Sequence, residues 1–268
     1  MNHSLAFVHP EAKIGANVTV EPFAYIDRNV EIGDGTWVGP HAVILSGARV
    51  GKNCKIHSGA VVSGTPQDLK FRGEETLAII GDNTTIRECV TLNRGTASKG
   101  VTEVGSNCLI MAYVHIAHDA RIGNNVILVN NVGVAGEVVI DDFAIVSGFS
   151  ALHQFVRIGA HAMVSGGSLV RKDVPPYIKA GREPLQYVGV NSIGLRRRGF
   201  SNEKIREIQD LYRIIFQNGM NNSAAVEYIE REYPASLERD MVIEFVRHSE
   251  RGIIKGYTAG HVTSDDED

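Results

Sequence analysis

Taking every sixth residue from Val8 gives Val8, Ile14, Val20, Ile26, Ile32, Val38, Ile44, Val50, Ile56 and Val62, an aliphatic series without a miss. The series breaks at Asp68 and Glu74, returns at Ile80, Ile86 and Leu92, and fails at Ser98. From Val104 it runs unbroken through Ile110, Ile116, Ile122, Leu128, Val134, Ile140, Val146, Leu152, Ile158, Val164 and Val170. A period of six fits neither the 3.6-residue helix nor simple two-residue alternation, so residues 8–170 are not an amphipathic helix. The spacing predicts a hexapeptide β-helix in which each hexad is one short strand and a corner, its aliphatic pointing inward. Glycine often follows the aliphatic, as at Gly15, Gly33, Gly51, Gly105 and Gly123, and Asn, Asp or Gly comes soon after. Such residues tolerate tight turns and positive φ. Three hexads would close a coil of roughly 18 residues, with coils about 4.8 Å apart.

The two breaks predict loops that leave the solenoid near residues 63–79 and 93–103. Loops carried by a regular scaffold are where binding residues concentrate. After Asp173-Val174-Pro175-Pro176-Tyr177 the register of six is lost, and the paired prolines read as its exit. From Ser201 the apolar residues Ile205, Ile208, Leu211, Tyr212, Ile215 and Phe216 recur at helical spacing, with Gly219 as a stop. Two further helices are expected, one from Ser223 to before Pro234 and one from Ser236. The chain thus divides into a β-helix over 1–190, a small α-helical domain over 191–258, and an acidic tail over 259–268 expected to be disordered.

Composition adds little chemistry. The net charge of −4 equals that of the terminal Asp265-Asp266-Glu267-Asp268, which leaves a neutral body and no sign of a nucleic-acid partner. No apolar run is long enough for a transmembrane segment, and the N-terminus lacks a signal-peptide core, so the expected location is the cytoplasm. Cys54, Cys89 and Cys108 show no metal-ligand spacing and read as small core residues.

The chemistry concentrates at His115-Ile116-Ala117-His118-Asp119. Histidine titrates near neutrality, and an adjacent carboxylate can fix its tautomer, as a general base requires. With 18 residues per coil, His118 lies under Gly136 and Gln154, Asp119 under Glu137 and Phe155, and Ala117 under Ala135 and His153. Gly136 leaves a backbone N–H open beside His118, where an oxyanion could sit. No activated cysteine or serine elbow lies nearby, so the residue types allow direct attack without a covalent intermediate.

Together with Gln67-Asp68-Leu69-Lys70, Asp173-Val174-Pro175-Pro176-Tyr177 and Arg197-Arg198-Gly199-Phe200, this stretch resembles the acyl-(acyl-carrier-protein)–UDP-N-acetylglucosamine O-acyltransferases of lipid A biosynthesis. The resemblance covers essentially the whole chain. It implies a left-handed parallel β-helix followed by a small helical domain, and a homotrimer with the acyl groove between subunits. It implies transfer of an (R)-3-hydroxyacyl group from acyl carrier protein to the glucosamine 3-hydroxyl of UDP-N-acetylglucosamine, with no metal and no further cofactor. His118 then matches the base, Asp119 its orienting acid and Gly136 the oxyanion donor. Gln67, Asp68, His115, His153 and Gln154 match substrate-positioning residues, while Asn191, Arg197 and Arg198 match the nucleotide end. Gly166 matches the position that limits acyl length, so its small size predicts room for a long chain.

Two residues depart from the family pattern. Glu137 stands where better-known members carry His, and Ile193 where they carry Glu near the nucleotide. An acid at Glu137 suits hydrogen bonding to the sugar, or a 3-amino acceptor; the hydroxyl acceptor is the reading kept here. The competing readings are a coenzyme A-dependent acetyltransferase of the same fold, a zinc site on His115, His118 and His153, and a binding-only solenoid.

Overall fold

The computed structural model describes residues 3–256; the acidic tail lies outside them. Residues 7–170 wind as a left-handed parallel β-helix. Its three faces begin with the strands Phe7–Val8, Lys13–Ile14 and Thr19–Val20, and each strand pairs with the one a full coil later. The register reads His115 to Gly133, Gly133 to Ala151 and Ala151 to Leu169, which is 18 residues per coil.

The aliphatics at every sixth position form the core: Ile26, Val38, Ile44, Ile56, Ile86, Ile110, Ile116 and Leu128 are fully buried. Each such side chain contributes roughly 1.5–3 kcal/mol by leaving water. A second inward column, two residues before the first, is filled by small side chains: Ala24, Val30, Ala42, Ala48, Cys54, Ala60, Val114 and Val126. Cys54 and Cys108 belong to it, whereas Cys89 is exposed at a corner with φ +57°. It is not the core residue expected from sequence.

The two insertions are shorter than the breaks in periodicity. Thr91 pairs with Val61, 30 residues earlier rather than 18, so the first insertion adds 12; His115 pairs with Thr91, 24 residues earlier, so the second adds six. Leu77–Ile80 and Val101–Val104 are paired strands, and the loops proper span 65–76 and 94–100. Strand pairing needs only backbone, so it persists where the side-chain pattern lapses. Both loops leave the solenoid at the corner between its first and second faces.

Nor do the paired prolines end the third sheet. Val174 bridges Ile158 of the second face, while on the third Ile178–Gly181 adds in parallel to Met163–Val164 and Gln186–Val190 folds back antiparallel on it. Pro176 occupies a corner where a β-carbon on Gly159 would strike it, and Tyr177 takes the positive-φ position at +65°. Asp173 stitches the end together, accepting from Arg157 N–H at 2.9 Å and from Ser249 Oγ at 2.6 Å. Among the described residues four helices follow: α1 (Ser192–Arg197), α2 (Asn202–Gln217), α3 (Asn222–Glu232) and α4 (Leu237–Arg247), capped by Asn191, Ser201, Asn221 and Ser236. The short α1, which carries the arginine run, has no legible period in the sequence. Tyr212 of α2 is fully buried and donates to the Pro176 carbonyl at 2.6 Å, closing the solenoid's open end.

Candidate active site

The corner between the first and second faces presents the same two turn positions in successive coils: His118 and Asp119, Gly136 and Glu137, Gln154 and Phe155. Glu137 N–H donates to the His118 carbonyl at 3.1 Å and Phe155 N–H to that of Gly136 at 3.3 Å, which fixes the stack. Asp119, Glu137 and Phe155 all have positive φ, at +61°, +59° and +68°. Geometry thus places His118 directly beneath Gly136.

His118 Nδ1 lies 2.8 Å from Asp119 Oδ2. A carboxylate only accepts, so Nδ1 carries the proton and the Nε2 lone pair is left toward Gly136 and the cleft. Asp119 is itself held from behind: Thr96 N–H reaches Oδ1 at 2.9 Å, Thr96 Oγ1 reaches Oδ2 at 2.6 Å, and Lys99 N–H reaches Oδ1 at 3.2 Å. Burial alone would raise the Asp119 carboxyl, but the hydrogen bonds from Thr96 and His118 outweigh it and hold the group below the ordinary carboxylate range. The acid therefore stays ionised. His115, one strand before, shares a 2.7 Å hydrogen bond with Thr91 Oγ1 through Nδ1, and burial pushes its imidazole below the usual histidine range.

A cleft of about 760 Å³ opens over His118 on the first face. His115, Gln154 and Gly136 line it, with Gln67 and Asp68 arriving from the first loop. That loop is pinned by Asn93 Nδ2 donating to the Thr65 carbonyl at 3.1 Å and by Arg94 lying over the Phe71 ring at 5.3 Å. The Ala135 and Glu137 N–H groups donate to the carbonyls of Leu152 and His118; no backbone carbonyl among the described residues takes the Gly136 N–H. An imidazole held by a buried carboxylate and an amide N–H without a backbone acceptor thus meet at one cleft, an arrangement chemically suited to proton abstraction coupled to formation of an oxyanion.

Other residues expected at the site lie elsewhere in the chain. Glu137 lines a separate cleft of about 730 Å³ on the second face, with Lys99, Arg121 and Arg157. It accepts from Ser98 Oγ at 3.1 Å and sits 3.9 Å from Lys99 Nζ, so its carboxylate faces the second loop. His153 is exposed outside the cleft, Nδ1 turned to the Gln154 carbonyl at 3.1 Å. Gly166 stands at the corner between the third and first faces. Asn191, Arg197 and Arg198 gather at the corner between the second and third. There Asn191 Nδ2 donates to the His161 carbonyl at 3.0 Å, Arg198 lies over the Phe143 ring at 5.2 Å, and His161 stacks between Phe143 and Tyr177. One chain alone does not join these residues to His118. Among the described residues, no three His, Cys, Asp or Glu side chains are arranged to hold a metal ion.

Sequence reasoning overlooked Thr91, Thr96 and His161. Arg94-Gly95-Thr96 stood in a predicted loop, but its partner Asp119 is 23 residues away at a distance set by an insertion of unknown path.

Residues 173–254 match the family described as Udp N-acetylglucosamine O-acyltransferase, Domain 2. Residues 29–64 and 102–136 match the bacterial transferase hexapeptide family (six repeats). The acyl-(acyl-carrier-protein)–UDP-N-acetylglucosamine O-acyltransferase of Janthinobacterium sp. (strain Marseille) is 46% identical over 258 residues, which are 94% of this chain and 98% of that protein. Its counterpart from Burkholderia orbicola (strain MC0-3) is 45% identical over 201 residues, 73% of this chain and 77% of that one. Among solved structures, the UDP-N-acetylglucosamine acyltransferase of Bacteroides fragilis 9343 superposes with a TM-score of 0.94 at 56% identity, covering 95% of this chain and 100% of its own. That of Francisella novicida gives 0.93 at 40% identity, covering 95% and 94%.

Proposed function

The chain belongs to the acyl-(acyl-carrier-protein)–UDP-N-acetylglucosamine O-acyltransferases, and from that membership we propose how its own residues carry out the transfer. It is an O-acyltransferase that uses acyl carrier protein as donor and UDP-N-acetylglucosamine as acceptor. In our reading the acyl group is an (R)-3-hydroxyacyl chain and the acceptor atom is the glucosamine 3-oxygen, as the first step of lipid A biosynthesis.

His118 Nε2 takes the proton of the 3-hydroxyl as its oxygen attacks the thioester carbonyl. The resulting oxyanion accepts from the Gly136 N–H. Collapse expels the phosphopantetheine thiolate, which takes the proton back from His118, and Asp119 stabilises the imidazolium between these events. Both substrates are bound together, and no enzyme-bound acyl group forms. The observation that carries this reading is the pairing of His118 Nδ1 with a buried, ionised Asp119 while Nε2 faces the cleft under a free amide. His115, Gln67, Asp68 and Gln154 line that cleft and position the sugar and the hydroxyacyl chain.

The nucleotide end needs a second chain. Outward residues of the third face include Leu109, Ile127, Ile145 and Met163, and those of the first include Val43, Val61, Ala151 and Leu169, an apolar stretch interrupted by Lys55, Thr85, Thr91 and His115. Those of the second include Lys13, Glu31, Arg49, Glu103, Arg121 and Arg157. A homotrimer burying first faces against third faces would bring Asn191, Arg197 and Arg198 of one subunit to the cleft of the next, where guanidinium groups suit phosphate oxygens. Gly166 would border the acyl groove in the same way. The 3-amino acceptor rested on Glu137 meeting the sugar; its engagement with Ser98 and Lys99 favours the hydroxyl. No helix among the described residues is long and apolar enough to cross a membrane, and the reading places the reaction in the cytoplasm.

The test is a steady-state assay with acyl carrier protein and coenzyme A donors, comparing the native enzyme with His118→Ala. We expect turnover from the carrier-protein donor and a fall in kcat of about 10²–10⁴-fold in the variant. Native turnover in the variant would remove the base assignment; a preference for coenzyme A would remove the donor.

A further inference from the structure

The second loop, 94–100, contains no titratable group that enters the cleft, yet its contacts converge on the carboxylate behind His118. Thr96 is buried at 6% exposure and spends both its donors on Asp119: its N–H on Oδ1 and its hydroxyl on Oδ2, the oxygen that also receives His118 Nδ1–H. The loop is folded to allow this. Gly95 N–H donates to the Leu77 carbonyl at 3.0 Å, Thr76 Oγ1 donates to the Gly95 carbonyl at 2.6 Å, and Gly100 N–H closes a turn on the Thr96 carbonyl at 2.7 Å. From outside, Glu137 holds the loop through Ser98 and Lys99.

We propose that Thr96 is a positioning residue for the reaction, and that the loop 94–100 is a clasp that orients the Asp119 carboxylate toward His118, with Glu137 as its outer fastening. The inference rests on His118 acting as the base. It gives Glu137 a role that does not involve the substrate: the acid fastens the piece of chain that supplies Thr96. With Oδ1 receiving two backbone amides and Oδ2 receiving Thr96 and His118, the carboxylate plane has one orientation, and the imidazole inherits it. The other charged or titratable groups around the pair are Asp68, Lys70 and His115 on the first face and those that line the second-face cleft together with Asp119: Lys99, Glu103, Arg121, Glu137, Arg157, Asp173, His248 and Glu250. A change confined to Thr96 leaves all of them in place.

The experiment compares kcat, KM for UDP-N-acetylglucosamine and the pH profile of kcat/KM for Thr96→Val, Thr96→Ser and His118→Ala, with thermal midpoints measured alongside. Thr96→Val keeps the size and the backbone donor and removes the hydroxyl; Thr96→Ala serves if the valine variant does not accumulate. The expected kcat of the valine or alanine variant is lower by about 10–100-fold, the range for loss of a group that orients a functional side chain from outside. KM should change less than about threefold, the acidic limb should move to higher pH because Oδ2 then serves His118 alone, and Thr96→Ser should restore most of kcat. A hydroxyl-free variant with native kcat and acidic limb, beside a crippled His118→Ala, overturns the role of Thr96 alone. So does a loss of activity that follows the folded fraction with the limb unmoved. Native activity in His118→Ala overturns the base assignment and the clasp with it.

Discussion

Gly136 lies over the His118 imidazole so closely that a β-carbon at position 136 would stand 2.7 Å from Cε1 and 2.8 Å from Nε2. Real β-carbon contacts do not come so near, and the imidazole cannot yield without leaving Asp119. Gly136→Ala is expected to lower kcat by more than about 100-fold, comparable with loss of the base, because it tilts Nε2 and crowds the amide donor together. The hexad aliphatics are untouched, so the thermal midpoint should fall by only a few degrees. Circular dichroism melts run beside the kinetics check both halves of this prediction.

Asp119→Asn replaces an obligate acceptor by a group that can offer an N–H to His118 Nδ1. The imidazole then has reason to flip its tautomer, and kcat should fall by about 10²–10⁴-fold with little change in KM. The same substitution should alter acid stability. The Asp119 carboxyl is depressed in the folded chain, so its contribution is fully present above the ordinary carboxylate range and disappears as pH falls through the lower folded value. Urea midpoints should therefore fall more steeply with acid in the native chain than in Asp119→Asn.

His161 carries a second pH signature. Burial first, and the Arg198 charge next, push its imidazole down to about 4, and Nδ1 is buried without a partner. A histidine depressed by folding destabilises the folded state wherever only the unfolded chain takes the proton. Stability should be highest above about pH 6.5 and fall by up to about 3 kcal/mol as pH drops toward 4. His161→Phe keeps the stack between Phe143 and Tyr177, and the corner already accepts phenylalanine one coil earlier, where Phe143 has φ +63°. That variant should flatten this part of the stability–pH curve without loss at pH 8. Denaturant titrations at several pH values measure it.

At Gly166 a β-carbon would meet only the Gly148 carbonyl oxygen, at 3.2 Å, and the Ser147 β-carbon, at 3.9 Å. The backbone there is ordinary and the position exposed, so the fold has no strong need for glycine. Gly166→Met is expected to leave the thermal midpoint nearly unchanged while turning acyl preference toward shorter chains by about 10-fold or more, the scale on which a filled pocket rejects extra methylenes. Competition between donors of different chain length reads this directly.

How far the sequence carried the reading depended on what the period of six could encode. Val8 to Val62 and Val104 to Val170 carried the register, and with it the stack of His118, Gly136 and Gln154, because every sixth position in those runs is a large aliphatic. The second inward column escaped notice since Ala24, Thr36, Ala42 and Cys54 share size, not hydropathy. Pro175 and Pro176 read as an end, although a proline is as acceptable as asparagine at a corner that donates no ladder hydrogen bond. Glu137 was paired correctly with Asp119 by counting, but counting gives the height of a residue in the solenoid and not the side of the corner to which its side chain turns. Thr96 lay beyond reach because its loop departs from the ladder, and only the ladder is periodic.

The 18-residue register also governs how this chain can change length. Between Val104 and Val170 no coil carries an insertion, so loss of a single residue between His118 and Gly136 would carry the Glu137 side chain onto the imidazole and turn every later aliphatic out of the core. The loops 65–76 and 94–100 begin and end at one corner, where residues can be added without disturbing the winding. Insertions and deletions are thereby confined to the corner that carries His118 and Gly136, and its loops can vary among descendants of this sequence while the winding that positions His118 stays fixed.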